Sequence, residues 1–226
     1  MKIVIDVMGS DNGPEAIVAG AVSSLAEFPD LEVVLVGDGG RINDILKKEK
    51  AENEKRITVF PTTEVIDMHD SPSRAVLQKK DSSLAVALNI MKDGGGDALL
   101  SAGSTGAVLA GSTFVLKRIK GIRRPALAPS LPTKSGRSLL IDCGANVVCS
   151  AEDLLLFALM GSCYMKKQFN MSSPRVGLIN NGAEDSKGTP MHVEAYKMLK
   201  KAGETGEINF VGNVEGSTML LGGVDV

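Results

Sequence analysis

Short, nearly uninterrupted apolar runs alternate with longer helix-like segments along the chain, and this alternation restricts the fold more than any other feature. The runs "KIVIDVM" and "LEVVLVGD" carry apolar side chains at successive positions, as strands covered on both faces do. Strands that alternate with helical segments of this length form parallel sheets. The sequence therefore predicts an α/β fold, with a mostly parallel sheet between helices in an α/β/α sandwich.

Four segments carry more specific predictions. The segment "SPSRAVLQKKDSSLAVALNIMK" predicts a broken helix, "GIRRPALAPSLPTKSG" a proline-rich loop or a segment that crosses between subdomains, and "RSLLIDCGAN" a strand. The segment "LLGGVDV" reads as a further strand, and a central strand without a following helix would leave one sheet face bare. We therefore expect residues 1–226 to form a single α/β domain shortened at its C-terminal end, with an edge strand as the alternative.

The composition narrows the class of protein. The chain has 226 residues, a formal net charge of -2, no Trp, two Tyr and six Phe, which argues against a nucleic-acid partner. No apolar run reaches the ~18 residues of a spanning helix. The three cysteines, at positions 143, 149 and 163, match no metal or redox spacing. We expect reduced, mostly buried thiols, a cytoplasmic protein, and no metal or cofactor.

The stretch "LLSAGSTGAVLAG" joins a predicted strand to a predicted helix through glycine and hydroxyl residues. Ligands of parallel α/β sheets bind beyond the carboxyl ends of the strands, where this stretch lies. Main-chain amides and the positive end of the following helix favour an anion there. The residues in question are Ser101, Gly103, Ser104, Thr105 and Gly106. The alternative is a tight turn that only caps a helix, and the pattern matches no nucleotide-binding motif.

Two further loops follow predicted strands. In "DVMGSDNGP", Asp6, Gly9 and Asp11 could orient a polar substrate or a cation, or could simply cap a helix. In "NNGAEDSKGTP", Lys187 could hold phosphate as a point charge, or be a solvated surface lysine. His69 and His192 belong to no recognisable catalytic pattern, and we predict structural or surface roles for both.

Seven segments together resemble one family, in order along the chain. They are "IDVMGSDNGPEAIVAGA", "SPSRAVLQKKDSSL", "DALLSAGSTGAVLAG", "RRPALAPSLPT", "LLIDCGANVVCSAEDLLLFALMGSCYM", "PRVGLINNGAEDSKGTP" and "NFVGNVEG". The chain resembles, from Met1 onwards, the acyl-acyl-carrier-protein:phosphate acyltransferases of bacterial phospholipid synthesis, the PlsX family. The family differs at a few positions; it usually has Asn where Ser104 stands, and it continues beyond Val226.

The resemblance implies a fold related to isocitrate and isopropylmalate dehydrogenases, and a homodimer. It implies transfer of a fatty acyl group from acyl carrier protein to inorganic phosphate. The acyl phosphate would feed a membrane-bound glycerol-phosphate acyltransferase, so the protein could lie peripherally at the inner membrane surface.

Because phosphate is itself the nucleophile, the site needs only to position it and to stabilise an oxyanion. We expect the Ser101–Gly106 loop to hold phosphate, with Lys187 adding charge. Asn146, Asn180 or Asn213 could polarise the carbonyl, since all follow strands expected at one sheet edge. The alternatives are a CoA-dependent phosphotransacylase, a dehydrogenase of related fold, and a non-catalytic relative that binds carrier protein or a membrane partner.

Overall fold

The computed structural model describes all residues, 1–226, and the chain divides into two compact units. Unit 1 is Met1–Arg118 and unit 2 is Ile119–Val226, and each is described by itself. The single-domain prediction stays a prediction, because a division by contacts does not decide whether the units fold independently. None of the helices has both the length and the apolar character needed to cross a bilayer.

Unit 1 alternates strands and helices as the sequence predicts. Its strands are β1 (Lys2–Asp6), β2 (Glu32–Gly37), β3 (Ile57–Pro61) and β4 (Ala98–Ser101). Its helices are α1 (Gly13–Glu27), α2 (Gly39–Lys48), α3 (Pro72–Gln78), α4 (Ser83–Lys92) and α5 (Thr105–Val115). The predicted broken helix is confirmed as α3 and α4, since Pro72 starts the first and the Ser82 hydroxyl caps the second.

The four strands of unit 1 form one parallel sheet in the order β3-β2-β1-β4. Side chains alternate between the two faces of a strand, and both faces of β2 are buried. Val33 and Leu35 pack with α1 and α2, whereas Val34 and Val36 pack with α4. This two-sided burial explains the uninterrupted apolar run and confirms the predicted α/β class with a mainly parallel sheet.

Unit 2 has two small sheets and two long helices. Its strands are β5 (Ser130–Thr133), β6 (Gly136–Leu139), β7 (Arg175–Asn180) and β8 (Asn209–Glu215). Its helices are α6 (Ala151–Phe169), α7 (Pro190–Glu204) and the single turn α8 (Gly216–Thr218), which continues into a π-helical turn at Met219–Gly223. Strands β7 and β8 are parallel, and α6 and α7 contribute to one apolar core with them.

The start of α6 is held by a reciprocal cap. The Ser150 hydroxyl accepts from the Asp153 amide at 3.2 Å, and Asp153 Oδ2 accepts from the Ser150 amide at 3.1 Å. Asp153 is buried and also contacts Arg123 at 3.3 Å and Arg124 at 3.5 Å. A capping box satisfies two amides that a helix start leaves unpaired. The "RRP" segment is therefore tied to the first turn of this helix.

Three predictions for unit 2 are wrong in detail. The loop predicted for "GIRRPALAPSLPTKSG" contains β5, which pairs antiparallel with β6; Pro132 fits there because a two-stranded hairpin leaves edge positions without ladder bonds. The strand predicted for "RSLLIDCGAN" ends at Leu139. The cysteines are free but not mostly buried, because Cys143 and Cys149 are half-buried and Cys163 is exposed on α6.

The segment "LLGGVDV" begins as the π-helical turn and then extends alongside two strands. The Asp225 carbonyl accepts from the Leu139 amide, and the Val226 carbonyl accepts from the Gly177 amide. Arg175 donates two hydrogen bonds to the Asp225 carboxylate, from Nε to Oδ2 and from Nη2 to Oδ1, both at 3.0 Å. The predicted strand is thus only partly correct: residues 224–226 make strand-like bonds, but residues 219–223 do not.

The Arg175–Asp225 pair gives a prediction about acid stability. The Arg175 guanidinium holds the pKa of Asp225 below its ordinary value of 3.8. Because the pKa is lower in the folded state, the pair stabilises above pH 3.8 and the contribution is lost as pH falls through the lowered pKa. We expect Asp225→Asn to cost about 1–2 kcal/mol at pH 7.

The measurement is urea unfolding at pH 7 and pH 3, with the transition of unit 2 followed separately. The cost of Asp225→Asn should shrink at pH 3, because this pH lies below the ordinary value of 3.8 and the carboxyl of the unfolded chain is then mostly protonated. Asp185→Asn, at an exposed loop position, serves as the control and should change the free energy of unfolding by less than about 0.5 kcal/mol. An equal cost at both pH values would contradict the assignment.

Candidate functional site

The loop between β4 and α5 presents unpaired main-chain amides. The Ser104 hydroxyl caps α5 by accepting from the Ala107 amide at 3.4 Å, whereas the amides of Ser104, Thr105 and Gly106 have no hydrogen-bond partner. Thr105 is exposed, and Ser104 and Gly106 are half-buried. The loop is therefore not packed away, and its free amides lie at the positive end of an eleven-residue helix.

Gly106 also has a packing reason to be glycine. A Cβ atom there would lie 2.9 Å from Cγ of Pro72, the first residue of α3. The close approach of α3 to α5 thus requires a residue without a side chain. The glycine does not by itself indicate a ligand, and the unpaired amides carry that interpretation.

Asp6 lies beneath this loop and positions its first residue. It stands opposite Ser101 in the pairing of β1 with β4, and its Oδ2 accepts from the Ser101 hydroxyl at 2.7 Å. The same hydroxyl accepts from the Gly103 amide at 3.2 Å. Asp6, Ser101 and Gly103 therefore form a chain of hydrogen bonds that fixes the bend of the loop.

The Asp6 carboxyl is only 3% exposed, and its Oδ1 has no well-formed hydrogen bond. Burial raises the pKa of Asp6. Hydrogen bonds from the hydroxyls of Ser83 and Ser101 and from the Met8 amide lower this pKa, but the effect of burial is larger. Such a side chain is placed to hold the loop and not to meet a substrate from solvent. The prediction that it orients a substrate or cation is not supported by its burial.

The other two residues of the first loop differ in placement. Gly9 has φ +81°, and a Cβ atom there would lie 3.0 Å from the Ile66 carbonyl oxygen and 3.9 Å from Cα of Gly103. The positive φ and the tight approach of the Ile66 carbonyl therefore favour glycine at this position, whereas the distance to Gly103 is an ordinary contact. Asp11 is exposed, and α1 begins without a side-chain cap from Asn12. Asp6, Gly9, Ser101 and Gly103 thus come together, while Asp11 stays at the surface.

In unit 2, Asn146 lies in a loop organised by Asp142. The Asp142 carboxylate accepts four hydrogen bonds, from the amides of Leu127, Ala145 and Asn146 and from Nδ2 of Asn146. Burial raises the pKa of Asp142, but these bonds outweigh it and leave the pKa lowered. Asn146 Nδ2 also donates to the Pro125 carbonyl at 2.8 Å. Both hydrogens of Asn146 Nδ2 are therefore donated to other protein atoms, and the side chain has no free donor for a substrate carbonyl.

Asn180 and Asn213 hold the loop that carries Lys187. Asn180 Nδ2 donates to the Lys187 carbonyl at 3.0 Å, and Asn213 Nδ2 donates to the Glu184 carbonyl at 2.6 Å. The Lys187 amide donates to the same Glu184 carbonyl at 3.1 Å. The Lys187 ammonium is 3.8 Å from Glu184 in an exposed pair, which is worth little energy. The structure thus brings these predicted residues together, with both asparagines positioning the loop.

A cavity of about 350 Å³ in unit 2 was not foreseen from the sequence. Apolar side chains from β7, α6 and α7 line it, and four polar residues border it: Asp142, Asn146, Cys149 and His192. His192 lies in the first turn of α7, where its Nδ1 is 2.8 Å from the Thr189 hydroxyl. A sequence shows which residues are apolar but not where packing leaves a space. No group of three or more His, Cys, Asp or Glu side chains could hold a metal ion.

Comparisons with known proteins agree on a family and a fold. A profile of the family described as "Fatty acid synthesis protein" matches residues 1–226. The chain is 44% identical over 226 residues to a phosphate acyltransferase of Acetivibrio thermocellus, and 46% identical over 227 residues to one of Lactobacillus gasseri. The whole chain is covered in both comparisons, but it spans only 65% and 66% of those two proteins.

A solved structure shows the same fold at lower identity. The EutD phosphotransacetylase from Staphylococcus aureus superposes with a TM-score of 0.67 and 16% sequence identity. The match covers 100% of this chain and 74% of that one. At this identity, the similarity establishes the α/β fold and nothing about the ligands of this chain.

The burial of Asp6 gives a pH-dependent prediction. Because burial raises its pKa in the folded state, stability falls as pH rises from the ordinary value of 3.8 through the raised pKa. Asn can still accept from Ser101 and has no charge to bury. We expect Asp6→Asn to be more stable than the unsubstituted chain at pH 7, with a difference that disappears towards pH 4.

Thermal unfolding between pH 4 and pH 8 measures this difference. Asp11→Asn, in the same loop but exposed, is the matched control and should follow the unsubstituted chain within about 0.5 kcal/mol. A variant of Asp6 that loses stability at every pH would show that the charge itself is favourable.

The hold of Asn213 on the loop gives a second prediction. Asn213→Ala removes one of the two donors to the Glu184 carbonyl, at a cost of about 1 kcal/mol. We expect the Lys187 amide to exchange with deuterium about fivefold faster. Asn209→Ala is the control, because that side chain donates to the Ser173 carbonyl instead. Equal exchange at Lys187 in all three proteins would show that the loop is held by other contacts.

Proposed function

The chain belongs to the fatty acid synthesis protein family, and we propose that it transfers a fatty acyl group to inorganic phosphate. Its relatives, proteins named phosphate acyltransferase that are 44–46% identical to it, support this reaction. Because the chain spans 65% of the first relative, the activity, substrates and partners of the whole protein are part of the proposal.

The single observation that carries the proposal is the row of unpaired amides at Ser104, Thr105 and Gly106. Three consecutive N–H groups at a helix N-terminus favour a small oxyanion such as phosphate. The hydroxyls of Ser104 and Thr105 add polar groups at the same place. The hydrogen bond from Ser101 to Asp6 holds the loop in one conformation before the anion binds. The entropy cost of ordering the loop on binding is therefore small.

The proposed reaction requires no cofactor. A phosphate oxygen attacks the thioester carbonyl carbon and forms a C–O bond, and the carbonyl oxygen becomes an oxyanion. The C–S bond then breaks, the thiol leaves with a proton from hydrogen phosphate, and acyl phosphate remains. Positioning the phosphate and stabilising the oxyanion with fixed donors supply the rate acceleration in such a step.

Unit 2 contributes a cation to the proposal. Lys187 is the residue whose charge attracts an anionic substrate, and Asn180 and Asn213 keep its loop in place. The polarising role first proposed for Asn180, Asn213 and Asn146 is weakened, because the amide of each is engaged with the protein's own backbone. We retain Lys187 and the Ser101–Gly106 loop as the principal candidates.

The finer assignments rest on the resemblance to phosphate acyltransferases. We propose acyl carrier protein as the donor, and an acyl phosphate that a membrane-bound glycerol-phosphate acyltransferase consumes in phospholipid synthesis. A homodimer in the cytoplasm, peripheral at the inner membrane surface, fits this role. Acyl-CoA is the competing donor, as in phosphotransacylases.

The test is acyl-phosphate formation with inorganic phosphate and acyl carrier protein thioesters, with acyl-CoA as the second donor. Thr105→Ala and Lys187→Ala should each raise the phosphate KM or lower kcat by about tenfold or more, since the first removes a hydroxyl beside the free amides and the second removes a positive charge that attracts the anion. Unchanged kinetics in both variants would remove these residues from the site.

Two controls lie on the same elements as the tested residues. Thr113→Ala changes a threonine on α5 whose hydroxyl donates to the Leu109 carbonyl, and Lys200→Ala changes an exposed lysine of α7. Both should keep the unsubstituted kinetics. A chain that forms no acyl phosphate with either donor, yet binds carrier protein, would replace the enzymatic proposal with the binding one.

A further inference from the structure

The Ser101 hydroxyl has one hydrogen-bonding position that the protein does not fill. A serine hydroxyl can donate one hydrogen bond and accept two. The Ser101 hydroxyl donates to Asp6 Oδ2 at 2.7 Å and accepts from the Gly103 amide at 3.2 Å. One lone pair of this oxygen therefore has no donor, and the side chain is half-buried, so a ligand can reach it.

Asp6 fixes the direction in which the hydroxyl donates. An ionised carboxylate only accepts hydrogen bonds, so the Ser101 hydrogen points at Asp6 and away from the loop. The Asp6 carboxyl is 3% exposed and its Oδ1 has no well-formed hydrogen bond, which leaves the hydroxyl of Ser101 as its well-formed side-chain donor. Towards a ligand, the oxygen of Ser101 can therefore act only as an acceptor.

Gly103 leaves this oxygen uncovered on the side of the loop. A Cβ atom at Gly103 would lie 3.5 Å from Ser101 Oγ and 3.6 Å from Asp6 Oδ2, which are ordinary contact distances. An alanine would therefore fit at this position, but its methyl group would cover the hydroxyl. The row of unpaired amides begins at the next residue, Ser104.

We propose that Ser101, oriented by Asp6, accepts a hydrogen bond from the bound anion and so selects hydrogen phosphate over an unprotonated oxyanion such as sulfate. This inference rests on the proposed function, which supplies phosphate as the anion. The amides of Ser104, Thr105 and Gly106 donate to any tetrahedral oxyanion, so they do not distinguish the two ions. Ser101 does, because a P–OH group donates to its lone pair, whereas a sulfate oxygen has no hydrogen to donate.

The comparison of these two ions isolates the proton. At pH 8, phosphate and sulfate are both mainly tetrahedral dianions, so differences of charge and shape largely cancel. What remains is one hydrogen bond that only hydrogen phosphate makes, and hydrogen bonds that involve an ion are among the stronger ones in proteins. A site built to bond a hydroxyl group also rejects an analogue that lacks it, because a polar group of the site is then left unpaired.

The experiment measures binding of inorganic phosphate and of sulfate to the whole chain by calorimetry, at pH 8 and equal ionic strength. We expect phosphate to bind at least about tenfold more tightly than sulfate. Ser101→Ala should reduce this ratio to within about threefold, mainly by weakening the binding of phosphate. Equal affinities of the unsubstituted chain for the two ions, or a ratio that Ser101→Ala leaves unchanged, would overturn the proposal.

Two variants of Asp6 separate its hydrogen bond from its charge. Asp6→Asn and Asp6→Ala remove the same negative charge, which affects both dianions alike. Asn still accepts from Ser101, so the preference for phosphate should persist. Ala frees the Ser101 hydroxyl to donate to sulfate, so the preference should fall to within about threefold. The same ratio in both variants would overturn the orienting role of Asp6.

Two further variants guard against a folding defect. Gly103→Ala retains the Asp6–Ser101 bond but covers the hydroxyl, and should lower the ratio as Ser101→Ala does. Ser24→Ala is the matched control, because that hydroxyl donates to the Ala21 carbonyl within α1, and it should leave the ratio unchanged. Thermal unfolding identifies any variant that fails to fold.

Acyl-phosphate formation, measured on the same proteins, separates this inference from the proposed function. A preference for phosphate that Ser101→Ala loses, in a chain that forms no acyl phosphate, supports the inference and overturns the function. Acyl-phosphate formation in a chain that binds sulfate as tightly as phosphate supports the function and overturns the inference. A chain that binds neither ion overturns both.

Discussion

The candidate site in unit 1 depends on the parallel pairing of β1 with β4, which sets Asp6 opposite Ser101. This register brings the loops after the two strands to the same edge, and the Asp6–Ser101 hydrogen bond fixes the bend between them. The cost is a buried carboxyl whose pKa is raised. A shift by one residue would turn these side chains to opposite faces of the sheet. The start of α5 leaves its first amides unpaired, and the strand pairing decides where those amides lie.

Unit 2 uses its polar residues differently. The Asp142 carboxylate accepts four hydrogen bonds and so orders the loop that contains Asn146. Asn180 and Asn213 each donate to a backbone carbonyl of the loop that carries Lys187. Each of these side chains bonds main-chain groups and so orders a loop, although the buried Oδ1 of Asn213 has no hydrogen-bond partner. Three asparagines of this unit are polar and follow strands, which made them candidates for catalysis. In the structure, Asn180 and Asn213 hold the loop that carries Lys187, and Asn146 bonds the Pro125 carbonyl.

Much of the fold was predictable, because β1 and β2 are buried on both faces and therefore carry apolar residues at successive positions. The loop between β4 and α5 was also predictable as a location, since glycines and hydroxyl residues that follow an apolar run indicate a turn into a helix; its role as an anion site stays a prediction. The errors fall where local pattern is ambiguous. The hairpin β5–β6 contains a proline that suggested a loop, and its pairing depends on a partner strand rather than on propensity. The role of Asn146 stays a prediction; the structure adds that its Nδ2 already donates to the Pro125 carbonyl and to Asp142, which a sequence does not show.

The sequence by itself determined the α/β class, the order of most elements, and the position of the glycine- and hydroxyl-rich loop between β4 and α5. These follow from side-chain periodicity and from the backbone preferences of glycine and proline, which are local properties. Only the tertiary structure decided that Asp6 is buried and bonded to Ser101, and that Asn180 and Asn213 hold the loop that carries Lys187. Burial, hydrogen-bond satisfaction and empty volume depend on residues distant in the chain, so no local pattern contains them.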